Sequence, residues 1–158
     1  MNTDLQREIE NLLYDEADCL DRADLEAWTR LYTEDGTYWM PASPAQPDAL
    51  NHISHVYDDR VMMEIRRRNF VHPRAASKDH AVRCSHLIGN IRVLEAADEH
   101  ASVRSNFHAL LYYRGEQRSY GGTYRHELQR AAGSWRIRHK RVDLIDCDAP
   151  QKSLIIYL

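Results

Sequence analysis

The chain has 158 residues, 43% hydrophobic and 28% charged, a globular balance that excludes wholesale disorder. Its 24 acidic against 21 basic side chains leave a net charge of −3, which argues against a dedicated nucleic-acid module. That length suits one domain, residues 1–158, whose core needs no disulfide or metal staple.

The N-terminal residues Met1-Asn2-Thr3-Asp4 are polar, and no apolar run follows them that would read as a signal peptide. No apolar run approaches the roughly 20 residues of a membrane helix. The three cysteines, Cys19, Cys84 and Cys147, are far apart and read as reduced thiols. A soluble, cytoplasmic chain is expected.

Thr3 and Gln6 have the spacing of a capping box. Leu5, Ile9, Leu12, Leu13, Ala17 and Leu20 then recur at helical spacing. A second helix is expected from Asp24, with Leu25, Trp28, Leu31 and Tyr32 on one face and Gly36 as its stop. Thr37 to Met40 reads as a strand ended by Pro41. Residues 41–51 hold three of the five prolines and read as a loop.

His52 to Tyr57 reads as a short strand, after which Asp58 or Asp59 caps a third helix to about Arg68. Residues 69–83 show neither period and read as a long loop. Segments 84–95, 100–114, 118–129 and 134–147 then have strand character, separated by turn signals at Arg114-Gly115-Glu116 and Ala132-Gly133-Ser134. Helices first and strands afterwards predict an α+β fold, with N-terminal helices packed on one face of a curved antiparallel sheet.

Several groupings have the residue types of a site. Cys84-Ser85-His86 has the Cys-x-His spacing of half a Rieske centre, but Cys147 is followed by Asp148, Ala149 and Pro150, so the second half is missing. His52 and His55, with Asp48 or Asp58, supply two histidines and a carboxylate for iron. On a strand, however, positions 52 and 55 face opposite ways. His80, His86, His108, His126 and His139 are candidates for a general base if the sheet brings one near a carboxylate, with Tyr14, Asp35, Tyr112 and Tyr124 as further members.

Arg66-Arg67-Arg68 ends the predicted third helix, where cations favour the dipole. Strand alternation puts Arg136, Arg138 and Lys140 on one face, opposite Ile137 and His139. Ion pairs or an interface explain these clusters better than nucleic acid. No Gly-rich phosphate loop occurs.

A set of motifs in fixed order goes further. Leu13-Tyr14-Asp15-Glu16-Ala17 with Leu20-Asp21 leads to Trp28, Leu31-Tyr32 and Asp35-Gly36-Thr37-Tyr38-Trp39-Met40-Pro41. Tyr57-Asp58-Asp59-Arg60, Ser85 and Asn90-Ile91 follow, then Ser105-Asn106-Phe107, Gly121-Gly122-Thr123-Tyr124, Trp135-Arg136-Ile137 and Lys140 to Ile145. Taken in order, and over nearly the whole chain, this resembles the small (β) subunit of bacterial aromatic-ring-hydroxylating dioxygenases, nearest the benzoate, toluate and anthranilate branch.

The resemblance implies a cone of the nuclear-transport-factor-2-like, cystatin-like kind. It also implies a non-catalytic chain with no cofactor or metal of its own. The Rieske 2Fe-2S cluster and mononuclear Fe(II) are then expected in a partner α subunit, with three α and three β chains in the assembly and self-association of this chain as a trimer. The expected contacts are Tyr57, Asp58, Asp59 and Arg60 from the family motif. Arg136, Arg138, Lys140 and the 69–83 loop are added from charge and loop length. The alternatives are a stand-alone isomerase, dehydratase or cyclase using a His, Asp or Tyr pair inside the cone, and a ligand-binding module without such a pair. A cone filled by Trp28, Tyr32 and Phe107 would speak against the enzyme.

Overall fold

The computed structural model describes residues 2–71 and 81–158. Helix α1 (Thr3–Asp21) starts one residue earlier than the capping box implies: the Asn2 side chain accepts from the Asp4 amide, and Gln6 turns to Glu10 instead. Its buried stripe is the predicted one from Ile9 to Leu20, with Glu16 and Cys19 added to it. Asp24 caps α2 (Leu25–Arg30) by accepting from the Ala27 amide.

Gly36 is not the stop of that helix. It lies inside strand β1 (Tyr32–Pro41), whose ladder with β6 jumps from Tyr32 to Thr37. A Cβ at Gly36 would stand 2.9 Å from the Thr33 carbonyl oxygen, so the bend there excludes a side chain.

Strand β2 (Ser54–Asp59) runs straight into α3 (Arg60–Val71), and Asp59 accepts from the Met62 amide as its first-turn cap. Four long strands complete the chain: β3 (Arg83–Ala96), β4 (His100–Tyr113), β5 (Glu116–Ala131) and β6 (Ser134–Leu144). The sheet order is β2-β1-β6-β5-β4-β3, and every pairing is antiparallel except the parallel β1–β6 pair.

Both predicted tight turns form between strands. Arg114 and Gly115, and likewise Ala132 and Gly133, take positive φ at consecutive positions, as a two-residue hairpin matched to strand twist requires. Bulges bend the sheet: β3 shifts register at Gly89/Arg92 and Val93/Glu95, and β6 carries an extra residue, Arg138, between the partners of Leu128 and Glu127.

The helices cover the inner face of the sheet, and the core lies between the two. Trp28, Tyr32, Tyr38, Phe107 and Tyr124 are its largest fully buried rings. Phe107 stacks on Tyr124 at 4.1 Å between ring centroids, and Trp28 stacks on Tyr157 at 4.2 Å. The cone is therefore filled at its centre.

Candidate functional site

The centre of the cone is organised by one carboxylate. Glu16 sits on the apolar stripe of α1 between Leu13 and Leu20 and is fully enclosed. One of its oxygens, Oε2, accepts from Trp28 Nε1 and from Tyr32 OH, each at 3.0 Å. The other, Oε1, meets His126 Nε2 at 2.9 Å and Lys140 Nζ at 3.0 Å. Four donors thus meet the roughly four lone-pair positions of a carboxylate.

Burial alone would raise the Glu16 carboxyl, but the Lys140 ammonium and the His126 hydrogen bond hold it well below the usual carboxylate range. Lys140 is likewise satisfied. It donates to the Leu158 main-chain oxygen at 2.9 Å and lies 4.0 Å from the centroid of the Tyr124 ring. Burial pushes His126 below its ordinary value, against the pull of Glu16; its Nε2 faces the carboxylate, and its buried Nδ1 has no hydrogen-bond partner.

Strand alternation puts Lys140 on the same face as Arg136 and Arg138, but it lies with the buried residues instead. The Arg138 bulge explains the difference, because one extra residue turns everything after it to the other face. Arg136 donates to the Arg30 carbonyl oxygen, and Arg138 pairs with Asp35 at 3.4 Å on the surface. Lys140 enters the core.

A second cluster gathers around the C-terminal residues. Tyr157 OH donates to Asp58 Oδ2 at 2.6 Å, and Arg66 holds both oxygens of that carboxylate at 2.5 and 3.3 Å. The Tyr38 hydroxyl accepts from the Leu158 amide at 3.1 Å and donates to the Leu158 oxygen at 3.2 Å. Residues 156–158 are thereby tied to β1, β2 and α3, and to β6 through Lys140.

Of the motif residues proposed as contacts, Tyr57 and Asp59 point outward while Asp58 is buried. Arg60 donates to the Tyr32 and Thr33 carbonyl oxygens at 2.9 and 3.2 Å, securing the bend before Gly36. Asp58 and Lys140, expected among the contacts, have their side chains buried within this chain instead of at its surface.

The histidines do not gather into one site. His86 is held by Asp21, Nδ1 to Oδ1 at 2.6 Å, under α1; burial lowers it below its ordinary value. His139 meets the Thr37 hydroxyl at 2.5 Å, and His108 is exposed. His80 lies outside the described residues, as does most of the 69–83 loop. Tyr14, Asp35 and Tyr112 stand at the surface, away from the Tyr124–His126 pair.

His52 pairs loosely with Asp48 at 3.9 Å, whereas His55 meets the Cys147 carbonyl oxygen at 2.5 Å, so the two share no metal. Cys84 is partly buried, its thiol pushed up to about 11 by burial, and His86 is engaged with Asp21. Among the described residues no group of three or more His, Cys, Asp or Glu side chains is placed to hold a metal ion. A Rieske cluster or mononuclear iron does not fit these residues.

Sequence reasoning missed Glu16 as a centre, although a charged residue on an apolar helical stripe was a visible signal. It also missed Tyr157 and Leu158, which carry no pattern beyond a short apolar run.

Comparison with known proteins decides what the filled cone belongs to. The family described as ring hydroxylating beta subunit matches residues 15–150. The chain belongs to that family.

The small oxygenase component of the p-cumate 2,3-dioxygenase system of Pseudomonas putida is 34% identical over 136 residues, covering 85% of this chain and 76% of its own. The β subunit of benzoate 1,2-dioxygenase from Burkholderia mallei superposes with a TM-score of 0.72 at 29% identity, covering 86% of this chain and 87% of that one. An NTF2-like protein with a cystatin-like fold from Novosphingobium aromaticivorans shares the fold, with a TM-score of 0.62 at 20% identity over 89% of this chain and 82% of that one.

The chain is accordingly a β subunit of an aromatic-ring-hydroxylating dioxygenase and the non-catalytic part of that complex. Its partner is the α subunit, which holds the Rieske cluster and the catalytic iron. No helix among the described residues is long and apolar enough to cross a membrane.

Proposed function

We propose that this chain, acting as a single domain in the cytoplasm, trimerises and holds three α subunits in register. Electrons then pass from the Rieske cluster of one α subunit to the iron of its neighbour. The observation that carries this reading is the contrast between a cone whose central carboxylate is met by four donors and a surface corner where apolar side chains stand exposed. At the junction of β2 and α3, Tyr57, Val61, Met62 and Ile65 stand 45%, 67%, 37% and 42% exposed. Four exposed apolar side chains grouped at a junction of two elements suit a contact surface, and others, including Leu50, Ile53, Leu87 and Ile145, stand exposed elsewhere.

Tyr57 and Asp59, with Arg60 fixing the backbone beneath them, form the first contact element of this proposal, and Arg136 and Arg138 form a second. The p-cumate and benzoate names of the relatives support a substituted benzoate as the substrate of the complex.

Native mass spectrometry of the untagged chain from its own cells, with iron analysis of the same peak, tests the reading. Co-migration with a larger iron–sulfur protein in three-to-three ratio is expected. An iron-free homo-oligomer running alone would remove it.

A further inference from the structure

A cavity of about 300 Å³ opens beside the Tyr157–Asp58–Arg66 cluster. One wall is the C-terminal segment, with Ile155 and Tyr157. The opposite wall comes from α2, β2, α3 and β4 through Leu25, Val56, Phe70 and Tyr113. The volume is at the lower end of what small-molecule sites occupy, and about twice that of an apolar cavity that takes up benzene.

The chemistry of the rim decides what fits. Among the described residues Arg66 is the cation lining the cavity, and its Nε and Nη2 are already committed to the buried Asp58 carboxylate. Tyr157 turns its hydroxyl to the same carboxylate. The charges of Arg66 and Asp58 cancel, so among the described residues an incoming anion would meet no uncommitted counter-charge. A neutral ring would instead find aromatic and branched aliphatic walls.

We infer that this cavity is a binding site for a small uncharged aromatic molecule of one ring, separate from the chemistry carried by the α subunit. One of its walls is the C-terminal segment, so an occupant packs against the residues that tie β1, β2 and α3 together.

The test uses the full chain with fluorobenzene and 4-fluorobenzoate as probes, followed by ligand fluorine NMR. Saturable binding of fluorobenzene is expected, about tenfold or more tighter than that of 4-fluorobenzoate. Intermolecular NOEs should reach the methyl groups of Ile155 and Val56. Ile155→Trp, or Val56→Phe as a second filler should the first fail to fold, should weaken binding at least about tenfold with the melting temperature held. Three outcomes would each overturn the inference. They are equal or tighter binding of the carboxylate, NOEs from other methyl groups, or binding untouched in a folded filler variant. Absence of fluorobenzene binding to the wild-type chain would overturn it as well.

Discussion

The interior of the cone and the β2–α3 corner use opposite economies of polarity. Inside, Glu16, Lys140 and His126 bring three ionisable groups into a fully enclosed space, and each oxygen of the carboxylate is met by two donors. At the corner, Asp58 and Arg66 are matched while Tyr57, Val61 and Ile65 remain exposed. Buried ionisable groups in a cleft often mark catalysis. Here the Glu16 carboxylate and the Lys140 ammonium are met by neighbours and surrounded by stacked rings, with His126 joined to them through Nε2, so they hold the helices to the sheet. The exposed apolar side chains of the corner lie outside, as befits a subunit that works by association.

The sharpest way to break this contrast is to remove the central carboxylate. Glu16→Gln leaves Lys140 as a buried cation without its counter-charge and turns an amide donor toward other donors. A loss of about 3–5 kcal/mol in urea unfolding is expected, a large part of a domain's stability. Adding Lys140→Met should recover part of it. A stable Glu16→Gln chain whose complex has lost activity would instead put Glu16 in the chemistry.

The same pair makes a pH prediction. Glu16 is held below its unfolded value of 4.5, so the stability it contributes is complete above about pH 4.5 and is lost as pH falls through the folded value. The stability gap between wild type and Glu16→Gln should therefore narrow from about pH 6 to about pH 3.5. A gap unchanged over that range would mean that the ionised carboxylate is not what stabilises the cone.

Next in size is the approach of β5 to β6. A Cβ at Gly122 would lie 1.9 Å from the Asp143 carbonyl oxygen, whereas at Gly121 the nearest atom is 3.5 Å away on the His108 ring. Gly122→Ala should cost about 3 kcal/mol and Gly121→Ala less than about 1, measured by thermal unfolding. Equal costs would mean that the strands separate easily. Smaller again is Asp58→Asn, which keeps an acceptor for Tyr157 but removes the charge that Arg66 grips; about 1–3 kcal/mol is expected.

The limits of the sequence have physical causes at particular residues. Apolar spacing located α1, and paired turn residues located both tight hairpins, because those signals are local. Lys140 was assigned the wrong face because alternation carries no record of a bulge, and Arg138 introduces one. Gly36 was read as a helix stop because a glycine that bends a strand resembles one that ends a helix. The partners of Glu16 come from positions 28, 32, 126 and 140, and no periodicity links residues so far apart. The ordered motifs identified the family, and several of their residues turn out to be members of this network, including Glu16, Trp28, Tyr32 and Lys140.

The smallest expected effect on stability falls at the corner, where the contrast can be tested from the other side. Tyr57→Ala with Val61→Glu changes two exposed side chains, neither of which belongs to the Glu16 network or the Asp58 cluster. Unfolding free energy should move by less than about 1 kcal/mol, since surface substitutions of this kind rarely do more. Assembly should respond very differently. Placing a carboxylate at Val61 introduces a charge that must be desolvated when the corner is covered, and Tyr57 is of the residue type that anchors interfaces. Size-exclusion chromatography of the co-expressed chains should then show folded variant separated from the α subunit, with wild type still bound. Co-elution of the variant with the α subunit at wild-type ratio would move the contact away from this corner and leave Arg136 and Arg138 to carry it.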